Sequence, residues 1–121
     1  MFTTETPLTG ILRAHEAWLE DPSAGRQADL TGMTLNDSNL AGVILRQAIL
    51  SGATLLDANL AGADLSGAKM ERADLQRANL AGADLSGSTL THASLAGAWL
   101  HGANLSEIIA AGATFRKARL G

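Results

Sequence analysis

Cysteine is absent, so this chain has neither a disulfide framework nor a thiolate metal site. Aromatic residues make up only 3% of the 121 residues, so aliphatic side chains must supply any core. Charge of either sign is sparse: nine Lys and Arg face twelve Asp and Glu, a net of −3, with no basic stripe that could track a phosphate backbone. Direct nucleic-acid binding is therefore not expected. The opening Met-Phe-Thr-Thr-Glu lacks a basic stretch followed by an apolar one, so no secretory leader is expected. The uncharged run 85–106 is long enough to suggest a membrane span, but its Ser, Thr, His, Asn and Gly content argues against one. One cytoplasmic, soluble domain is the expectation.

What the chain does have is a period of five. Leu or a substitute fills position i at 30, 35, 40 and every fifth residue to 120. That makes nineteen units, sixteen with Leu and the others with Met70, Ala110 and Phe115. Two residues before it, fourteen units carry Ala, and position i+2 is Gly in ten of eighteen. On an α-helix this period winds the leucines around the surface, and on one flat strand it throws them to alternate sides. It fits a short extended piece followed by a corner, with i−2 and i facing inward together, i−1 and i+1 facing out, and Gly at i+2 giving the corner its backbone freedom.

A longer period sets the size of one coil. The glycines at 42, 62, 82 and 102 recur at twenty, as do Asn39, Asn59 and Asn79, and Asp64, Asp84 and Asn104. Twenty residues are four units, so residues twenty apart should stack at the roughly 4.8 Å of strand pairing, giving about 4.7 coils and a rod of about 23 Å.

The string Ala-Asn-Leu-Ala-Gly-Ala-Asp-Leu-Ser-Gly, at 58–67 and again at 78–87, resembles the pentapeptide repeat family, whose A-(D/N)-L-x-x motif runs through most of 28–121. The resemblance implies an all-β solenoid, a right-handed quadrilateral β-helix of four units per coil, and it alone supplies the handedness. The expected organisation is an N-terminal helical cap and lead-in over 1–27 and the β-helix over 28–121. Within 1–27, Thr6-Pro7 reads as an N-cap with Pro at the first helical position. Leu8, Ile11, Leu12, His15, Trp18 and Leu19 then fall on one side of a short capping α-helix, with Trp18 in the core. A solenoid exposes its first coil unless something covers it.

Leu40, Leu60, Leu80, Leu100, Leu65 and Leu85 are the expected structural core. In the unit Ile108-Ile109-Ala110 the large residue moves to i−2, a repacking that keeps inward volume. At the C-terminal end Phe115 and Leu120 mark a candidate dimer edge, flanked by Arg116, Lys117 and Arg119. Three readings stand for that end: a homodimer through apposed last coils, a piece of a longer chain, or a basic edge that repels its copies. The resemblance favours the homodimer, because members of this family often pair through terminal coils.

Chemistry has few candidates. His15, His92 and His101 lack metal-ligand spacing and read as solvated surface histidines. No nucleophile elbow or triad context appears, and the glycines have corner spacing, not phosphate-loop spacing. Asp64 and Asp84 pair on a flat outer wall where the motif itself places Asp or Asn. No catalytic residue, metal or cofactor is therefore expected, and the chain reads as a non-enzyme.

Recognition is the better candidate. Trp99, His101, Ile109, Asp64 and Asp84 are the candidate partner surface on otherwise small, polar walls, with Trp99 placed to stack on Arg119. The leading expectation is a structural, protein-binding module with an unidentified protein partner. The alternative is DNA mimicry toward a type II topoisomerase such as DNA gyrase, as the resemblance to quinolone-resistance members implies. Residues 28–121 carry eight acids and seven bases, a weak imitation of DNA, and no insertion interrupts the coils as loops do in those members.

Overall fold

The computed structural model describes residues 7–120; Thr6, the expected N-cap, lies outside them. It is a right-handed quadrilateral β-helix preceded by one helix, α1, Pro7–Glu20. Every bridge is parallel and joins residues twenty apart. The i−1 residues therefore stack into four walls. The first is Asp29, Ile49, Lys69, Thr89 and Ile109, the second Thr34, Thr54, Asp74, Ser94 and Thr114, the third Asn39, Asn59, Asn79, Trp99 and Arg119, and the fourth Ile44, Asp64, Asp84 and Asn104. Each rung is bonded both ways: the Leu60 N–H donates to Asn79 O at 2.7 Å, and the Asn79 N–H donates to Ala58 O at 2.9 Å.

The corners explain the period. In each, the N–H of the next unit's i−2 residue donates back to the Leu carbonyl, as Ala63 does to Leu60 at 3.0 Å. All eighteen i+2 residues have positive φ, between 58° and 73°: the ten glycines, and also Asp37, Gln47, Asp57, Arg72, Arg77, His92, Glu107 and Lys117. A side chain in that region costs roughly 1–2 kcal/mol, which glycine avoids. The eight exceptions adopt it because the rungs on both sides of the corner fix where the chain must go. Glycine is thus the easy occupant of the corner but is not required at every one.

The Asp or Asn at i−1 has a local task. Its Oδ1 accepts the N–H two residues on, which would otherwise lack a partner at the corner. Asn59 does this for Ala61 at 3.1 Å, Asp64 for Ser66 at 3.1 Å, Asn79 for Ala81 at 3.0 Å and Asp84 for Ser86 at 2.9 Å.

Inside, Leu60, Leu65, Leu80 and Leu85 are fully buried and Leu40 and Leu100 nearly so, with the i−2 alanines filling the gaps between columns. Ser88 takes one of those Ala positions, and its buried Oγ finds no partner among the described residues, a penalty of about 1–3 kcal/mol. Ile108 packs against the core from i−2, and its corner bond to Leu105 O stretches to 3.4 Å.

Helix α1 packs Leu8, Ile11 and Leu12 against this core. His15 is not the solvated histidine expected from its lack of a motif: it is fully buried, and its ring joins α1 to the coils. The Ala28 N–H donates to its Nδ1 at 2.9 Å, so Nδ1 must hold a lone pair; Nε2 then carries the hydrogen and donates to Arg46 O at 2.8 Å. Trp18, expected in the core, is half-buried and stacks on His15 with centroids 5.6 Å apart. Gly25 lets the returning chain touch α1, since a Cβ there would fall on Ala14 O and Trp18 N.

Leu80→Lys removes about 1.5–3 kcal/mol of burial and places a charge in a dry column, a large share of the roughly 5–15 kcal/mol that holds a domain. The variant is expected to be unfolded or aggregated. A soluble Leu80→Lys chain with unchanged circular dichroism and melting would contradict the inward assignment.

Candidate functional site

The walls are flat except where side-chain size changes abruptly along a column. One such change lies at the corner between the second and third walls. There the coils carry, in ascending order, Leu56-Asp57, Gln76-Arg77, Ala96-Gly97 and Arg116-Lys117. The Ala96-Gly97 step has almost no side chain, so an open groove of about 760 Å³ forms between Arg77 on one side and Arg116 and Lys117 on the other. Gly97 keeps this step low, because a Cβ there would press on Arg77 Cγ at 3.3 Å. The third wall forms the other side with Asn59, Asn79, Trp99 and Arg119.

Trp99 is 45% exposed, held in place by its own rungs to Ala78 and from Leu80. The Arg119 guanidinium carbon lies 5.3 Å from the indole centroid, one coil above. This is a cation–π contact, and it positions a guanidinium that has no carboxylate partner among the described residues. Arg77 differs: its Nε and Nη2 donate to Asp57 Oδ1 and Oδ2 at 2.9 and 3.2 Å. That guanidinium holds the Asp57 carboxyl below the ordinary carboxylate value, and Asp57 in turn raises Arg77.

The candidate partner residues do not share one surface. Trp99 and exposed His101 lie on or beside the third wall, Ile109 on the first wall opposite, and Asp64 and Asp84 on the fourth. Both carboxylates already have local partners. Asp64 accepts from Ser66 and from Arg46, the latter at 3.0 Å, while Asp84 accepts from the Ser86 hydroxyl at 2.6 Å. Burial pushes the Asp64 carboxyl up, but the Ser66 bonds and the Arg46 charge outweigh it and leave it below its ordinary value.

His92 occupies an exposed left-handed corner under Gly112, where a Cβ would strike its ring. Among the described residues no cluster of three His, Asp or Glu side chains could hold a metal, and no helix is long and apolar enough to cross a membrane.

At the C-terminal end the four inward columns finish in Leu105, Ala110, Phe115 and Leu120. The first three are half-buried and Leu120 is 62% exposed. The ladder N–H groups of Leu105, Ala110 and Phe115 reach no acceptor among the described residues. The two neighbouring features of this end, an apolar floor and a donor-lined groove on its side, are the candidate site.

Comparison with known proteins agrees with this geometry. The model of the family Pentapeptide repeats matches in eight copies, over 26–55, 38–77, 55–91, 68–106 and 88–121. The chain therefore belongs to the pentapeptide repeat family. No curated protein matches it. Among solved structures, it resembles a pentapeptide repeat protein of the Arabidopsis thaliana thylakoid lumen at 30% identity and a TM-score of 0.58, over 77% of this chain and 65% of that one. The chain thus spans about two thirds of that relative's length. A pentapeptide repeat protein from Nostoc Pcc 7120 matches at 28% identity and TM-score 0.58, over 90% and 93% of the two chains. QnrB1, a plasmid-mediated fluoroquinolone resistance protein, shares the fold at 19% identity and TM-score 0.57, over 79% and 67%.

Asp57 and Asp64 both titrate below the ordinary 3.8, so near that pH the folded chain binds fewer protons than the unfolded one. Their contribution to stability is complete above the unfolded value and is lost as pH falls below it, so Tm should hold from about pH 8 to 5 and drop below about pH 4. The Asp57→Asn/Asp64→Asn variant should show a shallower acid drop; an unchanged slope would show that these pairs contribute nothing.

Proposed function

We propose that the chain is a non-enzymatic structural and protein-interaction module that works as a homodimer joined through its C-terminal coils. The observation that carries this reading is the apolar floor of Leu105, Ala110, Phe115 and Leu120, whose counterparts one coil below, Leu85, Leu90, Leu95 and Leu100, are all buried. An exposed apolar square with unpaired ladder N–H groups favours a partner surface of the same shape, and a two-fold axis supplies one. Phe115 and Leu120 are the residues assigned to the contact. The walls outside it remain free to bind other proteins. Among the described residues that line the groove, Asp57 is the one carboxylate, and Arg77 pairs with it.

The reading as a DNA-mimicking modulator of a type II topoisomerase has less support. Stacked Asp64 and Asp84 are its best feature, but Arg46 pairs with Asp64, and residues 28–121 carry a net charge of only −1. An acidic face that substitutes for DNA needs a continuous field of one sign. Supercoiling by DNA gyrase should therefore be unaffected by a molar excess of this chain; inhibition that Asp64→Asn/Asp84→Asn abolishes would instead establish the mimic.

Light scattering across a dilution series tests the homodimer. The expected mass is twice the 12.5 kDa of the chain, reduced to one copy by Leu120→Asp, a surface change that leaves the inner coils intact. A wild-type monomer at every concentration would overturn the dimer.

A further inference from the structure

We propose that the groove beside Trp99 is a docking site for an acidic peptide segment of another protein, bound through its carboxylates. The argument starts from the composition of the groove walls. Residues 108–120 carry three bases, Arg116, Lys117 and Arg119, and no acidic side chain, in a sequence whose overall charge is −3. All three line the groove. None has a carboxylate partner among the described residues, whereas Arg46 and Arg77 each have one.

The third wall adds donors of another kind. Asn59 and Asn79 each use Oδ1 to accept a corner N–H, from Ala61 and Ala81, so their Nδ2 groups are left to face outward. Asp57, the one carboxylate in the groove, is neutralised by Arg77. The groove is therefore rich in donors and poor in acceptors. Its natural ligand carries acceptors and negative charge.

Trp99 decides how well the site is organised. By holding Arg119 over its ring, the indole reduces the rotamer freedom that a free arginine would lose on binding, and it offers an apolar edge to the stem of a Glu or Asp side chain. An extended peptide is the shape that fits. The groove runs across successive coils spaced about 4.8 Å apart, while alternate side chains of an extended strand are about 6.8 Å apart, so two carboxylates can reach different coils. Nucleic acid fits less well, because three free cations on an acidic chain make too short a track for a phosphate backbone. This chain's own acids are poor occupants, since Asp64, Asp74 and Asp84 already accept local hydrogen bonds. The site is on a side wall, so it stands whether or not the terminal coils pair.

The test titrates the full chain into a fluorescein-labelled octaglutamate peptide, with octaglutamine and ATP as comparison probes. Octaglutamate should bind saturably, weaken as salt rises, and lose about tenfold or more in affinity in R116Q/R119Q, the loss expected for charged hydrogen bonds. W99A should weaken it by a smaller factor, and R46Q, on the fourth wall, should leave it unchanged. Circular dichroism of each variant separates lost binding from lost folding. Absent or non-saturable octaglutamate binding, equal binding of octaglutamine, or an R116Q/R119Q variant that binds as well as wild type would overturn the proposal. Trp99-dependent binding of ATP without the peptide would assign the groove to a nucleotide and overturn it. So would a solution mass that falls in R116Q/R119Q while the peptide fails to bind, which would assign the groove to a second copy. Light scattering reads the terminal dimer separately, so either reading can fail alone.

Discussion

The fold depends on one constraint: the backbone must turn every five residues so that each rung meets the rung twenty residues later. A left-handed residue at i+2 makes the turn, and the parallel bonds between coils hold it. Everything else in the solenoid serves that geometry. Leucine at i and alanine at i−2 fill the square cross-section, and Asp or Asn at i−1 bonds the corner N–H that the ladder leaves over. Because each coil contacts only its neighbours, stability accumulates along the rod, and an end coil has half the partners of an inner one.

That last property accounts for both ends. At the N-terminal end α1 rests on the core through Leu8, Ile11 and Leu12, and buried His15 bonds to Ala28 and Arg46. At the other end Leu105, Ala110, Phe115 and Leu120 occupy core positions that no further coil covers among the described residues. The proposed dimer is the same stacking rule continued into a second copy. The proposed peptide site arises differently, from a missing side chain at Gly97 between large basic ones, so its existence depends on the outward residues that the ladder does not constrain.

The repeat was legible because period five and period twenty are both fixed by backbone geometry, and a backbone rule leaves its mark in every unit. Positions i and i−2 could therefore be placed inside, and the coil length follows from the recurrence of Asn39, Asn59 and Asn79. Handedness was not legible from spacing, since a mirror-image coil has the same periods. His15 was missed because a single buried histidine satisfied by backbone groups has no motif; only its place on the apolar side of α1 hinted at burial. The groove was not legible from the i−1 walls, because the notch lies in the corner column Asp57, Arg77, Gly97 and Lys117, whose period of twenty at i+1 and i+2 carries the signal. The Trp99–Arg119 contact was legible, because it follows from the same spacing.

Residue-resolved amide hydrogen exchange at two protein concentrations tests the account most directly. In the inner coils the amides at i−1, i and i+2 should exchange slowly and those at i+1 faster, most of all where no Asp or Asn side chain accepts them, a pattern that repeats every five residues. In the last coil Leu105, Ala110 and Phe115 should exchange fast in dilute protein and slowly in concentrated protein, as the terminal coils meet. Protection without the five-residue period would contradict the ladder, and last-coil amides that exchange equally fast at both concentrations would contradict the pairing of its end.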